Sequence, residues 1–219
     1  MILLENIPEE SGLIDEQLKG QLANVFEKME DEVVMKAVVD LEKEKDNELA
    51  CFLKVCASLS EKLQLELYAP DEAEKVPDLD ITYLPATGLY KNGEYARVAF
   101  HGIPGGKEIN SFVLAIYNLA GPGQEMEKSL RKKIDKLNKK TNIKICVSLG
   151  CSYCPKVVHA CQRIAILNKN VEAEMIDAAL YQSLIEKYDI KRVPMMIFND
   201  KDIYMGNKEM EEIINLIRY

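Results

Sequence analysis

The sequence predicts an α/β protein made of one unit repeated in tandem, each copy a central mixed β-sheet flanked by helices. Three observations predict it. A helix, a β-α-β segment, a pair of strands and a closing helix run through the first half, and the same order recurs in the second. Leu84-Pro85 followed by Lys91-Asn92-Gly93 has a counterpart in Val193-Pro194 followed by Asn199-Asp200. The two prolines stand 109 residues apart, half of the 219-residue chain. Finally, Cys151-Ser152-Tyr153-Cys154 falls where a predicted strand runs into a predicted helix.

In chain order, the first half is expected to hold a helix over about 14–30 and a strand over about 33–41 that opens with Val33-Val34-Met35. Leu49, Phe52, Leu53, Cys56 and Leu59 recur at helical spacing and set a helix over about 47–61. Strands follow at about 63–69, 82–90 and 95–101, and a closing helix at about 106–119. Gly121-Pro122-Gly123 breaks the chain. The second half then reads as a helix at about 124–139, the strand Ile143 to Gly150, a helix at about 152–167, a strand at about 171–176 and a helix at about 178–188. Strands at about 194–199 and 202–205 and a helix at about 207–218 complete it. Carrying the chain forward by 109 residues lays Val33-Val34-Met35 on Asn142-Ile143-Lys144, so the repeat extends beyond the prolines. Two units, 1–120 and 121–219, are the expected division.

Composition narrows the classes of function. With 47% hydrophobic residues the chain is long enough to bury a substantial core. Thirty-six acidic against 28 basic residues give a net charge of −8 with no extended basic stretch, so neither nucleic acid nor an anionic membrane is an expected partner. Met1-Ile2-Leu3-Leu4-Glu5 lacks the basic start and long apolar run of a leader, and no membrane-length apolar segment follows. A cytoplasmic location is therefore expected.

Six cysteines without a secretion signal point to redox chemistry or metal rather than a disulfide scaffold. Cys51 and Cys56 lie five apart on one predicted helix, a rise of about 7.5 Å with a large rotation, beyond disulfide reach. They read as core. Cys151 stands at a strand-to-helix junction, where free amides and the helix dipole favour a thiolate and draw its pKa from about 8.5 toward about 3.5–7.5. Cys154 is one turn on, close enough to bond to it and less exposed, and so is expected to resolve a mixed disulfide. Pro155 fits the first helical turn, which has no amide bond to lose.

Other readings of the cysteines compete. Cys146, Cys151 and Cys154 follow a C-x4-C-x2-C iron–sulfur spacing, but Cys146 lies inside a strand and no fourth cysteine follows beyond the helix. A zinc set of Cys151, Cys154, His159 and Cys161 fails because His159 and Cys161, two apart on a helix, point to nearly opposite sides. A structural pair without redox work is the third. Cys161 is expected in the core, and His101 and His159 read as solvated or satisfied histidines. No metal site is expected.

The strand–CxxC–helix, the later Arg192-Val193-Pro194 and the hairpin and helix behind it resemble the thioredoxin/glutaredoxin superfamily. Further runs carry a closer likeness: Gly102-Ile103-Pro104-Gly105-Gly106-Lys107-Glu108-Ile109-Asn110-Ser111-Phe112, Val147 to Val158 around the CxxC, and Ala165-Ile166-Leu167-Asn168. Together they resemble the N-terminal domain of the alkyl hydroperoxide reductase flavoprotein subunit, and are similar to the two-fold protein disulfide oxidoreductases. The resemblance covers about residues 14–219. It implies two tandem thioredoxin-like folds, with Val193-Pro194 as a cis-proline loop opposite the disulfide and Leu84-Pro85 as its relic.

The positions 109 residues before the two cysteines are Glu42 and Lys45, so the first fold, 1–120, is expected to be redox-inactive and the second, 121–219, active. Gly102-x-x-Gly105-Gly106 lacks the dinucleotide-binding G-x-G-x-x-G spacing. No bound cofactor is expected beyond the redox-active Cys151–Cys154 disulfide. The resemblance then implies a thiol–disulfide oxidoreductase: a flavoprotein disulfide reductase, on another chain or another part of a longer one, donates electrons, and a partner disulfide, first of all a peroxiredoxin's, accepts them. General disulfide reduction or isomerisation is the alternative of the same chemistry, and a non-catalytic interaction module the alternative of another class. Ser152, Tyr153, Val193 and Pro194 are the expected partner contacts. Thioredoxins carry a buried acid six residues before the first cysteine, but Ile145 stands there. The resemblance places Glu108 near the CxxC as the replacement.

Overall fold

The computed structural model describes residues 1–218, and places the repeated elements in one continuous sheet. The first half comprises α1 (Glu16–Phe26), β1 (Val33–Val38), α2 (Glu44–Ser58), β2 (Leu63–Tyr68), β3 (Ala86–Lys91), β4 (Glu94–His101) and α3 (Ile109–Ala120). The second comprises α4 (Lys128–Asp135), β5 (Thr141–Val147), α5 (Cys154–Leu167), β6 (Val171–Asp177), α6 (Gln182–Tyr188), β7 (Met195–Phe198), β8 (Asp202–Met205) and α7 (Met210–Arg218). Among the described residues no helix is long and apolar enough to cross a membrane.

The sheet order is β2-β1-β3-β4-β6-β5-β7-β8, so each half contributes the same four-strand pattern and the two patterns meet where β4 pairs with β6. That seam is parallel, from Val98 opposite Ala173 to His101 opposite Ile176. Both hairpins turn through left-handed pairs, Asn92-Gly93 and Asn199-Asp200, whose positive φ suits the twist of the flanking strands. The prolines behind the repeat occupy equivalent places. Leu84-Pro85 and Val193-Pro194 are both cis, and each proline carbonyl accepts a 2.9 Å hydrogen bond from a positive-φ glycine after the hairpin, Gly102 and Gly206 respectively.

Several helices are shorter than their sequence patterns. The helix expected at 124–139 starts only at Lys128, because the Gln124 backbone is engaged elsewhere: its amide donates to Asn118 Oδ1 at 2.9 Å and its carbonyl accepts from Arg163 Nη2 at 2.6 Å. The helix expected at 14–30 is bounded by an Asp15 cap, whose side chain accepts from the Leu18 amide, and ends at Phe26. The strand expected at 82–90 starts at Ala86, after the cis Leu84-Pro85 bond. The helix expected at 178–188 divides into a 3-10 turn, Ala178–Leu180, and α6.

One face of the sheet carries the large core, to which both halves contribute. Phe112 of α3 is fully buried at its centre, 5.4 Å from the Phe52 ring and 5.3 Å from Phe100. The other face is covered in two places, around Val76 and Leu79 in the first half and by Leu184 and Tyr188 of α6 in the second. Because Phe112 fills the space between α2 and β4, Phe112→Ala should lower the unfolding free energy by about 3–5 kcal/mol. Urea denaturation of the oxidised protein measures it.

Candidate active site

Strand β5 ends at Val147, and the chain crosses Ser148–Tyr153 before α5 begins at Cys154. The helix thus starts two residues later than its pattern suggests, leaving Cys151 just outside it. The Cys151 amide donates to the Ser148 carbonyl at 2.9 Å, which turns the loop back over the strand end. Cys151 and Cys154 are joined as a disulfide, with Cα atoms 5.5 Å apart. Cys151 is half-buried and Cys154 fully buried. The Cys154 amide, first in the helix, donates to Cys151 Sγ at 3.1 Å, an arrangement that favours negative charge on that sulfur when the bond is open.

Ser152 is exposed, and Tyr153 is 67% exposed. Met195 pairs with Cys146, so the cis Val193-Pro194 bond lies beside the end of β5 from which the cysteine loop departs. Pro194 is buried and Val193 half-buried.

The first half closes over the same loop. After β4 the chain turns through Gly102 and returns as a 3-10 turn, Gly106–Glu108. The Lys107 amide donates to the Leu149 carbonyl at 3.0 Å. Gly106 permits this approach: its φ is +55°, and a Cβ there would stand 2.6 Å from the Leu149 oxygen. Glu108 follows, fully buried, with Oε2 accepting from the Ser111 hydroxyl and Oε1 without a hydrogen-bond partner. Ser111 Oγ also lies 3.5 Å from the Pro155 carbonyl, in the first turn of α5. Burial pushes the Glu108 carboxyl up to about 7 against a smaller opposing effect of Ser111.

The remaining cysteines are buried, and burial raises their thiols, Cys146 up to about 12. Cys51 and Cys56 lie in α2, Cys161 in α5 and Cys146 inside β5. His101 is fully buried between the Tyr83 carbonyl, at 2.7 Å from Nδ1, and Glu174, at 2.8 Å from Nε2. At the equivalent end of β1 the exposed Glu42 and Lys45 stand where the second half has its cysteines, and Lys45 pairs with Glu48. Sequence reasoning did not single out Gly106 or Ser111. Serine three residues after Glu108, at helical spacing, was the available signal for Ser111, and nothing local marked Gly106 as a contact across the chain.

This is a thioredoxin-fold protein bearing one CxxC disulfide. Residues 141–218 match the thioredoxin domain family. The alkyl hydroperoxide reductase protein AhpF of Enterococcus faecalis, in its C503A mutant, superposes with a TM-score of 0.89 at 40% identity, over 94% of this chain and 99% of that one. The chain belongs to the family of AhpF N-terminal domains, with tandem thioredoxin-like folds. The Staphylococcus aureus AhpF is 30% identical over 203 residues, 93% of this chain but 37% of that protein, so this chain spans little more than a third of the curated relatives it matches. A protein disulfide oxidoreductase from Aeropyrum pernix shares the fold, with a TM-score of 0.82 at 19% identity.

The Glu108 shift links folding to pH. The unfolded carboxyl releases its proton near 4.5 and the folded one near 7, so this group costs stability as pH rises across that interval and the cost is constant above it. Glu108→Gln should gain on the parent protein from pH 4 to pH 8 by on the order of 3 kcal/mol. Denaturant unfolding of both oxidised proteins at the two pH values reads the difference.

Proposed function

We propose that the protein is a thiol–disulfide oxidoreductase that carries electrons from a flavoprotein disulfide reductase to a partner disulfide, with a peroxiredoxin as the first acceptor to test. A half-exposed cysteine bonded to a buried one at the start of a helix is the observation that carries this reading, and the buried Glu108, whose Ser111 partner lies against the first turn of that helix, supports it. The likeness to AhpF, part of a hydroperoxide reductase by name, supports the choice of acceptor.

In the proposed cycle the donor reduces Cys151–Cys154 to the dithiol with two electrons and two protons. The Cys151 thiolate then attacks one sulfur of the partner disulfide and displaces the other as a thiolate. Cys154 loses its proton to Glu108 and attacks Cys151 Sγ, which restores the disulfide and expels the second partner thiolate; that thiolate takes the proton from Glu108 and the first takes the one Cys151 released, so the partner leaves as a dithiol. A carboxyl near 7 is matched to that task at neutral pH, because it is partly ionised and still a competent proton acceptor. Ser152, Tyr153, Val193 and Pro194 form the surface on which the partner chain lies. In this reading residues 1–120 are the redox-inactive unit, supplying Glu108 and the clamp on Leu149, and residues 121–219 are the active unit.

Cys151→Ser should abolish disulfide reduction. Cys154→Ser should instead accumulate a mixed disulfide through Cys151, detectable by non-reducing electrophoresis and mass spectrometry. Trapping by both variants alike would contradict the division of roles, and unchanged function without either cysteine would leave an interaction module. Glu108→Gln should slow partner release and remove an inflection near pH 7 from its rate profile. Comparing peroxiredoxins with a scrambled-disulfide substrate separates the relay from general disulfide reduction or isomerisation.

A further inference from the structure

Helix α4 presents Lys128, Arg131 and Lys132 on one side, spaced i, i+3 and i+4, toward a cleft whose other wall is α5. Arg163 of α5 faces them. Met126 and Leu167 supply apolar lining and Gln124 completes it, around an open cleft of about 370 Å³. Four cations therefore surround one small cleft in a chain whose net charge is −8.

Arg163 is the unusual member. It is 8% exposed, and among the described residues no carboxylate pairs with it. Its Nη2 donates to the Gln124 carbonyl, and Gly123, at φ +72°, makes room for the guanidinium: a Cβ there would stand 2.9 Å from Nη1. Burial, with the nearby positive charge of Arg131, lowers its pKa. Among the described residues the lining contains no acid. Among the described residues the carboxylate touching a lining cation is Asp135, 2.8 Å from Arg131 Nε. Buried cations ordinarily keep a counter-ion, and the fold seats this one among three others without supplying it.

We propose that this cleft binds a compact polyanion of the diphosphate class. A diphosphate concentrates several charges within the width of the cleft, which suits converging lysine and arginine donors. Carboxylates of an acidic peptide are instead spread along the backbone at about 3.3 Å per residue. The volume lies at the small end of the range of about 300–1,000 Å³ typical of small-molecule sites, and Met126 and Leu167 offer an apolar neighbour to any group the diphosphate carries. The site is independent of the redox chemistry, because Arg163 lies nine residues along α5 from Cys154, about 13 Å.

Calorimetric titration of the oxidised protein with sodium pyrophosphate at low ionic strength tests this. Saturable binding at one site is expected, with the ¹⁵N side-chain resonance of Arg163 shifting on addition. Lys128→Gln/Lys132→Gln, two exposed positions, should weaken binding about tenfold or more. Lys139→Gln/Lys140→Gln removes the same charge from exposed positions outside the cleft and should leave affinity within about twofold. Absence of saturable binding, equal weakening by both double variants, or tighter binding of a glutamate-rich peptide at the same residues would overturn the proposal.

Discussion

Strand β4 ends at His101, paired with Ile176 of β6, and this register fixes where the chain goes next. From there Gly102 turns it away from the sheet, and the next residues pass over the end of β5 rather than into solvent. Had the halves been joined by a flexible linker alone, Gly106 and Glu108 would have no fixed relation to Leu149. The parallel pairing makes the two sheets one body, so residues of the first half meet the loop that carries the cysteines in the second. The Lys107 to Leu149 hydrogen bond and the missing Cβ of Gly106 hold that relation to within contact distance.

A carboxyl in such a place is costly. Glu108 has one oxygen satisfied by Ser111 and the other by no group, so the neutral form is favoured until about pH 7. Cys154 is equally buried. A buried thiol by itself holds its proton strongly, as Cys146 does at about 12. Placing a proton acceptor of intermediate strength behind a buried thiol offsets that effect, which is the physical content of the proposed role.

The seam has a second polar feature. His101 bridges the Tyr83 carbonyl and Glu174, while Glu174 also receives Asn142 and lies 3.7 Å from Lys144. Burial works against the charge of Lys144, but Glu174, Asp200 and Asp80 together outweigh it and hold its pKa above the ordinary value. Side chains from β4, β5 and β6 thus meet in one network between the two halves. Each partner removes the desolvation penalty of another, and a register shift at the seam would leave several of them unpaired.

Periodicity and punctuation were enough to read the repeat, because turn residues and apolar spacing act locally. Asn92-Gly93, Asn199-Asp200 and the two prolines each dictate backbone conformation without help from distant residues. The CxxC was legible for the same reason: its cysteines are one helical turn apart, and the strand before them fixes their position. Glu108 was placed near the disulfide only by resemblance, since no rule of spacing connects residue 108 with residue 151. Its burial, the Ser111 contact and the approach of Gly106 to Leu149 depend on β4 pairing with β6. The start of α4 escapes a local reading because Asn118 and Arg163, distant in sequence, take up the backbone groups of Gln124. Local sequence therefore determined the elements and the disulfide pair. Which groups surround that pair, and how tightly they hold a proton, the tertiary structure decided, because solvent exclusion and contacts between the halves exist only once the sheet is joined.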